Sequence, residues 1–234
     1  MKSIRISRPY YGWYIVAALF FATFTGVGAR QGFGIFVETW EKDFGVSTSV
    51  ISIAAAVGWV ANGVSQPIFG ILSDRLGGKP ILVFGTLVLG IGTIAVAASP
   101  NPWVLMILYG LVCSFASGAV SFTPAGTIVS RWFIKNRGKA MGLLAAGGSV
   151  SGIVMIPFLA YFLLATSWQT VWIVVGAFTI VVGVPLLAIV LKNHPKDMGL
   201  LPDGNAPVGD SNAENINVDL RGEHELKAPL SSDS

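Results

Sequence analysis

The chain has 234 residues, of which 53% are apolar and 12% are charged, and its mean hydropathy is +0.69. A typical soluble domain is about one quarter charged, so this composition indicates an integral membrane protein and excludes a soluble enzyme, a disordered chain and a disulfide scaffold. The alternation of apolar and polar residues that is typical of strands is absent, which argues against an outer-membrane barrel. Because Cys113 is the single cysteine, an intramolecular disulfide is excluded.

Six apolar stretches are each long enough to cross a hydrocarbon core of about 30 Å as a helix. In chain order they cover residues 11–36, 50–72, 80–98, 102–129, 140–163 and 171–191. Helices pair their backbone polar groups internally, as a lipid environment requires, and the short connections predict antiparallel neighbours. We therefore predict an all-α membrane protein with a cytoplasmic N-terminal arm at 1–10, a six-helix transmembrane bundle at 11–191 and a mostly disordered polar tail at 192–234.

The distribution of charge predicts the orientation of these helices. Residues 1–196 carry 13 Lys and Arg against 4 Asp and Glu, whereas residues 197–234 carry 2 against 8. Eleven of the basic residues fall on one side of the predicted bundle, and Lys42 lies on the other. The positive-inside rule then predicts a multi-pass protein of the plasma (inner) membrane with both termini in the cytoplasm. We expect the protein to have the lipid bilayer as its partner, and we expect no binding of nucleic acid.

The sequence offers no candidate for catalytic or metal chemistry. His194 and His224 lie outside the six spans, which excludes a zinc site of the intramembrane-protease type and a histidine proton relay. Neither a G-x-S-x-G nor a Walker motif is present. We therefore expect no cofactor, no metal and no enzymatic activity.

The connection between the second and third helices contains a polar turn, GILSDRLGGKP, at residues 70–80. Glycine at 77 and 78 predicts a tight turn, because glycine adopts backbone conformations that other residues resist. The Asp74 carboxylate could pair with a basic residue or with a helix N-terminus, where the macrodipole favours negative charge. A pairing present in only one conformation would act as a latch; the alternative is a simple solvated turn.

This turn resembles the G-x-L-x-D-R-x-G-x-K signature of the major facilitator superfamily, which also lies between the second and third helices. The matching residues are Gly70, Asp74, Arg75, Gly77 and Lys79. The resemblance implies a secondary transporter with twelve helices in two halves, each half consisting of two three-helix inverted repeats. It also implies that these five residues form a conformational latch on the cytoplasmic side.

A second segment, RWFIKNRGKAMG at residues 131–142, is similar to the W-F-x-K-R-R-x-x-A-x-G loop of members related to monocarboxylate transporters and oxalate/formate antiporters. Its loop residues are Arg131, Trp132, Phe133, Arg137 and Gly138. Shorter similarities to this branch occur at residues 11–13, 33–36, 43–45 and 195–204. The resemblance thus extends over residues 8–204.

Six helices correspond to one half of that fold. The expected partner is a C-terminal six-helix half, which the same gene, a separate chain or a second copy of this chain could supply. Residues 205–234 are dominated by Asn, Asp, Gly, Pro and Ser and resemble the start of the linker between the two halves. This composition predicts disorder.

Arg30 is the most informative polar residue within a span. An ionised arginine at membrane depth is costly unless it is paired or hydrated, so we expect Arg30 to face the central cavity and to bind an anionic substrate through two parallel hydrogen bonds. The alternative is that its side chain extends to the outer surface beside Glu38. Animal monocarboxylate transporters have a lysine in this part of the first span, which aligns with Gln31 and makes Gln31 a second candidate.

Further polar residues of the spans could bind a carboxylate or line a water-filled cavity. Asn62 and Gln66 share one helix face because they are four residues apart. Ser121 and Thr123 lie near a proline in the fourth span, and Ser149 lies in the fifth. For each Ser or Thr, the alternative is a hydrogen bond to its own helix.

Glycine recurs in the third and fifth spans, at Gly85, Gly90, Gly92, Gly142, Gly147, Gly148 and Gly152. Small residues allow helices to approach closely in a membrane. The alternative is that they make the helices pliable around a moving cavity.

Together these observations predict a secondary active transporter that works by alternating access on a small organic anion such as a monocarboxylate, with a proton or in exchange for another anion. One alternative is a transporter of the same fold for a neutral or cationic solute. The other is a non-transporting six-helix membrane protein or fragment.

Overall fold

A computed structural model describes residues 10–204. Within that range, six helices are long and apolar enough to cross a membrane. They are α1 (Tyr11–Phe44), α2 (Thr48–Leu76), α3 (Gly78–Ala97), α4 (Pro102–Trp132), α5 (Arg137–Ala165) and α6 (Trp168–Val190). The predicted all-α fold with six transmembrane helices is thereby confirmed. The predicted disorder of residues 205–234 concerns a part of the chain outside the described residues.

Three of the six helices contain a local irregularity. Helix α1 is interrupted at Gly32 between Tyr11–Gln31 and Phe33–Phe44. Helix α4 consists of Pro102–Leu105, the π-helical Met106–Cys113, Ser114–Ala119 and, after a break, Phe122–Trp132. Helix α6 contains the π-helical segment Thr179–Gly183. π-Helical turns frequently occur at functional sites, and the π-helical segment of α4, like the interruption of α1, lies close to candidate residues.

Helix α1 continues beyond the span predicted at residues 11–36. Its last turns bury Phe36 and Trp40 and expose Glu38, so the apolar face keeps its helical period while the opposite face becomes charged. The helix ends at Gly45, which has a left-handed backbone with φ of 63°. Charged residues lowered the hydropathy of these turns without ending the helix.

The six helices pack in pairs. Helix α1 packs chiefly on α5, α2 on α4 and α3 on α6, and α3 also contacts α4. Glycines lie in these contacts: a Cβ atom at Gly85 would be 2.4 Å from the Ala119 Cβ, and one at Gly147 would be 2.8 Å from the Phe20 carbonyl oxygen. Gly142, in contrast, has open space around it. Close packing therefore accounts for most of the glycines of α3 and α5.

Helices α2 and α5 present apolar side chains to the outside of the bundle. The exposed residues of α5 include Ile153 and Leu164, and those of α2 include Val60 and Ile71. Only 11% of the most apolar part of α5 is buried, compared with 59% for α1. These two helices thus offer apolar faces suited to lipid or to further helices.

The basic residues gather at one end of the bundle, which we call the basic end. It contains the turn between α2 and α3 at Gly77, the loop 133–136 between α4 and α5, and the segment that follows α6. Gly77 has φ of 88°, and a Cβ there would be 2.5 Å from the Asn193 side chain, so both its backbone and its surroundings require glycine. The other end of the bundle is called the opposite end below.

Candidate functional site

Arg30 lies just beyond the middle of α1, shortly before the interruption at Gly32. Its guanidinium carbon is 4.0 Å from the centre of the Trp59 ring of α2, a cation–π arrangement that favours a cation over the face of the indole. Within residues 10–204, its guanidinium makes no hydrogen bond or ion pair with another side chain. Glu38, the alternative partner, pairs instead with Lys42 at 2.7 Å.

A small cavity lies beside this arginine. It has a volume of about 50 Å³ and is lined by Arg30, Phe33, Ala55, Gly58, Trp59, Tyr109 and Ser114. The Tyr109 hydroxyl donates a hydrogen bond of 3.3 Å to the backbone oxygen of Arg30, and its ring stacks on Phe33 at 4.8 Å. The backbone at Arg30 is thus held by α4, while its guanidinium keeps its N–H groups available.

Asn62 is the centre of a polar network between α2 and α4. Its side-chain nitrogen donates to the Ser114 carbonyl at 3.2 Å and to the Ser117 hydroxyl at 2.8 Å. Its oxygen accepts a bond of 3.1 Å from Gln66, and Thr123 donates to Gln66 at 3.5 Å. Asn62 is buried, Gln66 is half-buried and Thr123 is exposed, so the network leads from the helix contact to the surface of the bundle.

The network and Arg30 are neighbours. Ser114 and Ser117, which contact Asn62, also line a second cavity of about 10 Å³ together with Arg30. A cavity of this size holds about one water molecule. Arg30, Asn62, Gln66 and Thr123 are therefore brought together along α1, α2 and α4.

Gln31, Ser121 and Ser149 are arranged differently. The Gln31 amide donates a bond of 3.4 Å to the Gly148 carbonyl of α5, so it bridges α1 and α5. Ser149 is exposed on α5. Ser121 lies at the break in α4, and its buried hydroxyl oxygen has no hydrogen-bond partner among the described residues. These three residues do not join the network around Asn62.

Aromatic side chains separate Arg30 from the opposite end of the bundle. Trp40 lies 5.9 Å from Trp172 of α6 and 6.3 Å from Tyr109 of α4, measured between ring centres. Phe36 contacts Trp172 at 5.3 Å, and the Trp168 indole donates to the Asp43 carboxylate. This cluster joins α1, α4 and α6 and closes one end of the polar region.

The residues of the α2–α3 turn divide into buried and exposed groups. Gly77 is buried, Gly70 is half-buried against Thr123, and Lys79 donates its backbone N–H to Asn193 at 2.9 Å. Asp74 and Arg75 are exposed, and their side chains make no hydrogen bond or ion pair within the described range. The geometry leaves the Asp74 carboxylate available to a partner.

The residues of the α4–α5 loop are also of two kinds. Trp132 and Phe133 are almost completely buried, and the Trp132 indole donates to the Lys192 carbonyl at 2.9 Å. Arg131 lies 3.3 Å from the His194 ring. Arg137 and Gly138 are the exposed first residues of α5. The aromatic residues thus have a structural role at the basic end.

The sequence does not predict a functional or structural role for three residues of this arrangement. Trp59 and Tyr109 surround Arg30, and Asp203 binds the α4–α5 loop. Trp59 is 69% exposed although it is the largest side chain of its helix. It precedes Asn62 by three residues, so helical spacing could have placed it on the same face. Among the residues that the structure describes, no group of three or more His, Cys, Asp or Glu could hold a metal ion.

Six membrane-length helices with polar residues gathered inside them define a multi-pass helical membrane protein. The model of the Major Facilitator Superfamily matches residues 19–228 of the chain. Because this match covers most of the sequence, the chain belongs to the Major Facilitator Superfamily.

Relatives with known names agree with this assignment. Monocarboxylate transporter 13 of Rattus norvegicus is 26% identical over 170 residues, which are 73% of this chain and 40% of the relative. Monocarboxylate transporter 11 of Homo sapiens is 26% identical over 188 residues, or 79% of this chain and 40% of the relative. MFS-type transporter 1 of an Ophiocordyceps species is 32% identical over 144 residues, or 61% and 32%. The chain therefore spans less than half the length of these relatives, and all three are named as transporters rather than as enzymes.

A solved structure shares the fold. The crystal structure of a bacterial homologue of the human lysosomal transporter Spinster, in an inward-facing and unoccupied conformation, aligns with a TM-score of 0.70 and 17% identity. The alignment covers 87% of this chain and 48% of that chain. The described helices thus have the fold of one half of such a protein, consistent with the predicted N-terminal half.

Proposed function

We propose that this chain is the N-terminal half of a secondary active transporter for a small organic anion such as a monocarboxylate. The observation that carries the proposal is the guanidinium of Arg30, which is stacked on Trp59 near mid-span without a carboxylate partner in the described range. A cation within a membrane protein marks a substrate or ion pathway by default. The relatives named as monocarboxylate transporters support an anionic substrate.

The arrangement around Arg30 suits a carboxylate. Trp59 covers one face of the planar guanidinium, and a stacked guanidinium keeps its N–H groups available in its own plane. Two parallel N–H bonds can then bind both oxygens of a carboxylate. The Asn62–Gln66–Thr123 network on the neighbouring helices supplies neutral donors and acceptors, so it could bind a hydroxyl or carbonyl group of the same substrate.

Transport would proceed by alternating access, in which this bundle moves against a second six-helix half around a midplane site. The exposed apolar faces of α2 and α5 are the surfaces that this partner would cover. The free Asp74 carboxylate at the basic end would pair with the partner half in one conformation only and so act as the latch. The anion would move with a proton or in exchange for another anion.

Substrate binding by Arg30 variants tests the proposal. Purified protein reconstituted in proteoliposomes would be titrated with lactate, with a neutral sugar and with an organic cation. We expect Arg30→Gln to weaken lactate binding about tenfold to a hundredfold, because a hydrogen bond to a charged group contributes roughly 1.5–3 kcal/mol to the free energy of binding. Arg30→Lys keeps the charge but loses the two-pronged geometry, so we expect a smaller loss.

Lys42→Gln is the matched control, since Lys42 lies on the same helix but pairs with Glu38 at the surface. It should leave lactate binding unchanged. Unchanged lactate binding by Arg30→Gln would refute the anion site. Binding of the sugar or the cation, but not of lactate, by the parent protein would favour a transporter of the same fold for a neutral or cationic solute.

We further propose that the basic end faces the cytoplasm, which agrees with the excess of Lys and Arg there. Single cysteines at Lys135, in the α4–α5 loop, and at Gln169, at the start of α6, test this orientation in whole cells. A membrane-impermeant thiol reagent should label the Gln169→Cys protein from outside and the Lys135→Cys protein only after permeabilisation. Labelling of Lys135→Cys in intact cells would reverse the proposed orientation. The native Cys113 is buried and serves as the unlabelled background.

A further inference from the structure

The segment that follows α6 turns back across the basic end instead of leaving the bundle. We call residues 192–203 the strap. It contains a 3₁₀ turn at Pro195–Met198, where Pro195 is buried, and a second turn begins at Pro202. The Asp197 carboxylate accepts a hydrogen bond of 3.1 Å from the backbone N–H of His194, so the first turn is stabilised within the strap itself.

The last residue of the strap is bound by the α4–α5 loop. One oxygen of the Asp203 carboxylate accepts from the backbone N–H groups of Ile134 at 2.7 Å and Lys135 at 2.5 Å. The other oxygen accepts from the backbone N–H of Asn136 at 3.2 Å, and the Asn136 side chain lies at 3.4 Å. Three successive N–H groups immediately before the first turn of α5 thus converge on one carboxylate, where the helix dipole also favours negative charge.

The pKa and the backbone conformation of Asp203 are both consistent with these hydrogen bonds. Burial raises the pKa of its carboxyl group, but the backbone hydrogen bonds of Lys135, Ile134 and Asn136 outweigh this effect, so the pKa lies below its usual value. Its backbone is in the left-handed region with φ of 56°, which Asp tolerates better than most residues with a side chain.

The strap is also attached at its beginning and near its end. The Trp132 indole donates to the Lys192 carbonyl at 2.9 Å. The Tyr10 hydroxyl lies 3.0 Å from the Leu201 carbonyl oxygen and 3.2 Å from that of Trp132, within hydrogen-bond distance of both. Both ends of the strap are therefore held against the end of α4 and the loop that follows it.

A further contact joins the strap to the other signature segment. Asn193 accepts a hydrogen bond of 2.9 Å from the backbone N–H of Lys79 at the start of α3. The same side chain packs against Gly77, leaving no room for a Cβ atom there. Asn193 and Asp203 thus contact two segments that are distant in the sequence, the α2–α3 turn and the α4–α5 loop.

We propose that the strap couples the α2–α3 turn to the α4–α5 loop, and that Asp203 is the residue that keeps it in place. The α2–α3 turn, the α4–α5 loop and the end of α6 then move as one rigid unit. The strap moves with this bundle as part of that unit. The proposal goes beyond the proposed substrate and does not depend on it, because the contacts that carry it lie within the described residues.

Hydrogen–deuterium exchange of the full chain in lipid nanodiscs tests the coupling without a substrate. In Asp203→Asn, we expect the amides of residues 134–136 to exchange about tenfold faster or more, because hydrogen bonds to a charged acceptor are replaced by weaker neutral ones. The Lys79 amide should also exchange faster, although Asp203 does not touch it. The amides in the middle of α3 should remain as protected as in the parent and report that the bundle is folded.

Two further variants separate coupling from local effects. Asp197→Asn is the matched control, since that carboxylate bonds only within the strap, and it should leave residues 134–136 unchanged. Asn193→Ala should speed exchange at Lys79 and, through the strap, at residues 134–136. If each of Asp203→Asn and Asn193→Ala affects only its own contact, the two loops are independent and the proposal is wrong. Unchanged exchange at residues 134–136 in Asp203→Asn would also overturn it.

Discussion

The contact between α3 and α6 and the contact between α2 and α4 differ in the residues that form them. Helices α3 and α6 meet through glycine: a Cβ atom at Gly176 would lie 2.8 Å from the Gly90 carbonyl oxygen, and one at Gly90 would lie 2.5 Å from the Ile180 side chain. Helices α2 and α4 also meet closely at glycine, where a Cβ atom at Gly110 would lie 2.8 Å from the Ala54 carbonyl oxygen. They are joined in addition by Asn62, which bonds Ser114 and Ser117 of the facing helix. The first contact thus depends on close packing, and the second combines close packing with polar side chains.

The difference shows that this bundle does not need polar side chains for helix packing. Close backbone approach is enough to hold helices together in a membrane, where no hydrophobic force acts between them. The polar groups of the α2–α4 contact are therefore not required for packing, and we propose that they belong to the substrate site because they lie beside Arg30 and its cavities. We interpret α3 and α6 as supporting helices, and α1, α2 and α4 as the helices that line the site.

The largest effect is expected from Gly176→Leu, which places a side chain where the backbones of α3 and α6 touch. Overpacking of a tight contact costs about 3 kcal/mol when the backbone itself must move. We expect a strong loss of monodisperse protein in size-exclusion profiles after heating. Gly63→Leu on α2 is the control, since a Cβ atom there meets nothing within 4 Å. Equal heat resistance of the two variants would show that the α3–α6 contact can relax.

A smaller loss of stability is expected from Asn62→Leu, which removes the donor to the Ser117 hydroxyl of α4 and the acceptor for the Gln66 side-chain nitrogen. Polar contacts between membrane helices contribute on average about 0.6 kcal/mol and rarely more than about 1.7. We therefore expect a small fall in the midpoint of thermal unfolding, together with a clear loss of lactate binding.

Ser65→Ala serves as the comparison for Asn62→Leu, because Ser65 is buried in the same helix but its hydroxyl donates only to the backbone carbonyl of Asn62 within that helix. It should change neither quantity much. If Asn62→Leu lowers stability without weakening lactate binding, the polar groups of the α2–α4 contact serve helix packing alone. The proposed difference between this contact and that of α3 with α6 would then be wrong.

The smallest effect on stability is expected from Thr123→Val. Thr123 is exposed, and its hydroxyl reaches Gln66 only at 3.5 Å, so its removal should change the free energy of unfolding by less than about 0.5 kcal/mol. The substitution nevertheless ends the polar network one residue earlier. We expect a modest weakening of lactate binding, measured in the same titration, and destabilisation as large as that of Asn62→Leu would contradict this ranking.

The properties that the sequence predicts correctly are those that depend on a stretch of residues rather than on one contact. Six helices, their order and the all-α fold follow from apolar runs of sufficient length. Hydropathy predicts an end of the first span at residue 36, whereas α1 continues to Phe44. The acidic residues after that point lower the hydropathy while Phe36 and Trp40 continue the buried face. The spacing of Asn62 and Gln66 predicts that they share one helix face, and the structure adds a bond of 3.1 Å between their side chains.

The sequence does not predict which distant residues contact one another. Trp59 beneath Arg30 and Asp203 beneath the α4–α5 loop are separated from their partners by 29 and at least 67 positions, and no local pattern links residues so far apart. The sequence offers Gln31 as a candidate substrate-binding residue, and the structure adds its bond to the Gly148 carbonyl of α5. Only the packed bundle identifies which polar groups already have partners.

The sequence by itself determined the environment and the architecture of this protein, because lipid demands long apolar helices with internally paired backbones, and because signature residues occur at fixed places between those helices. The tertiary structure decided how these helices meet. It brought Arg30 onto Trp59, gathered Asn62 and its partners beside them, and folded the strap onto both loops. The physical reason is that hydropathy depends on composition, whereas a contact between helices depends on rotation and register, which only packing fixes.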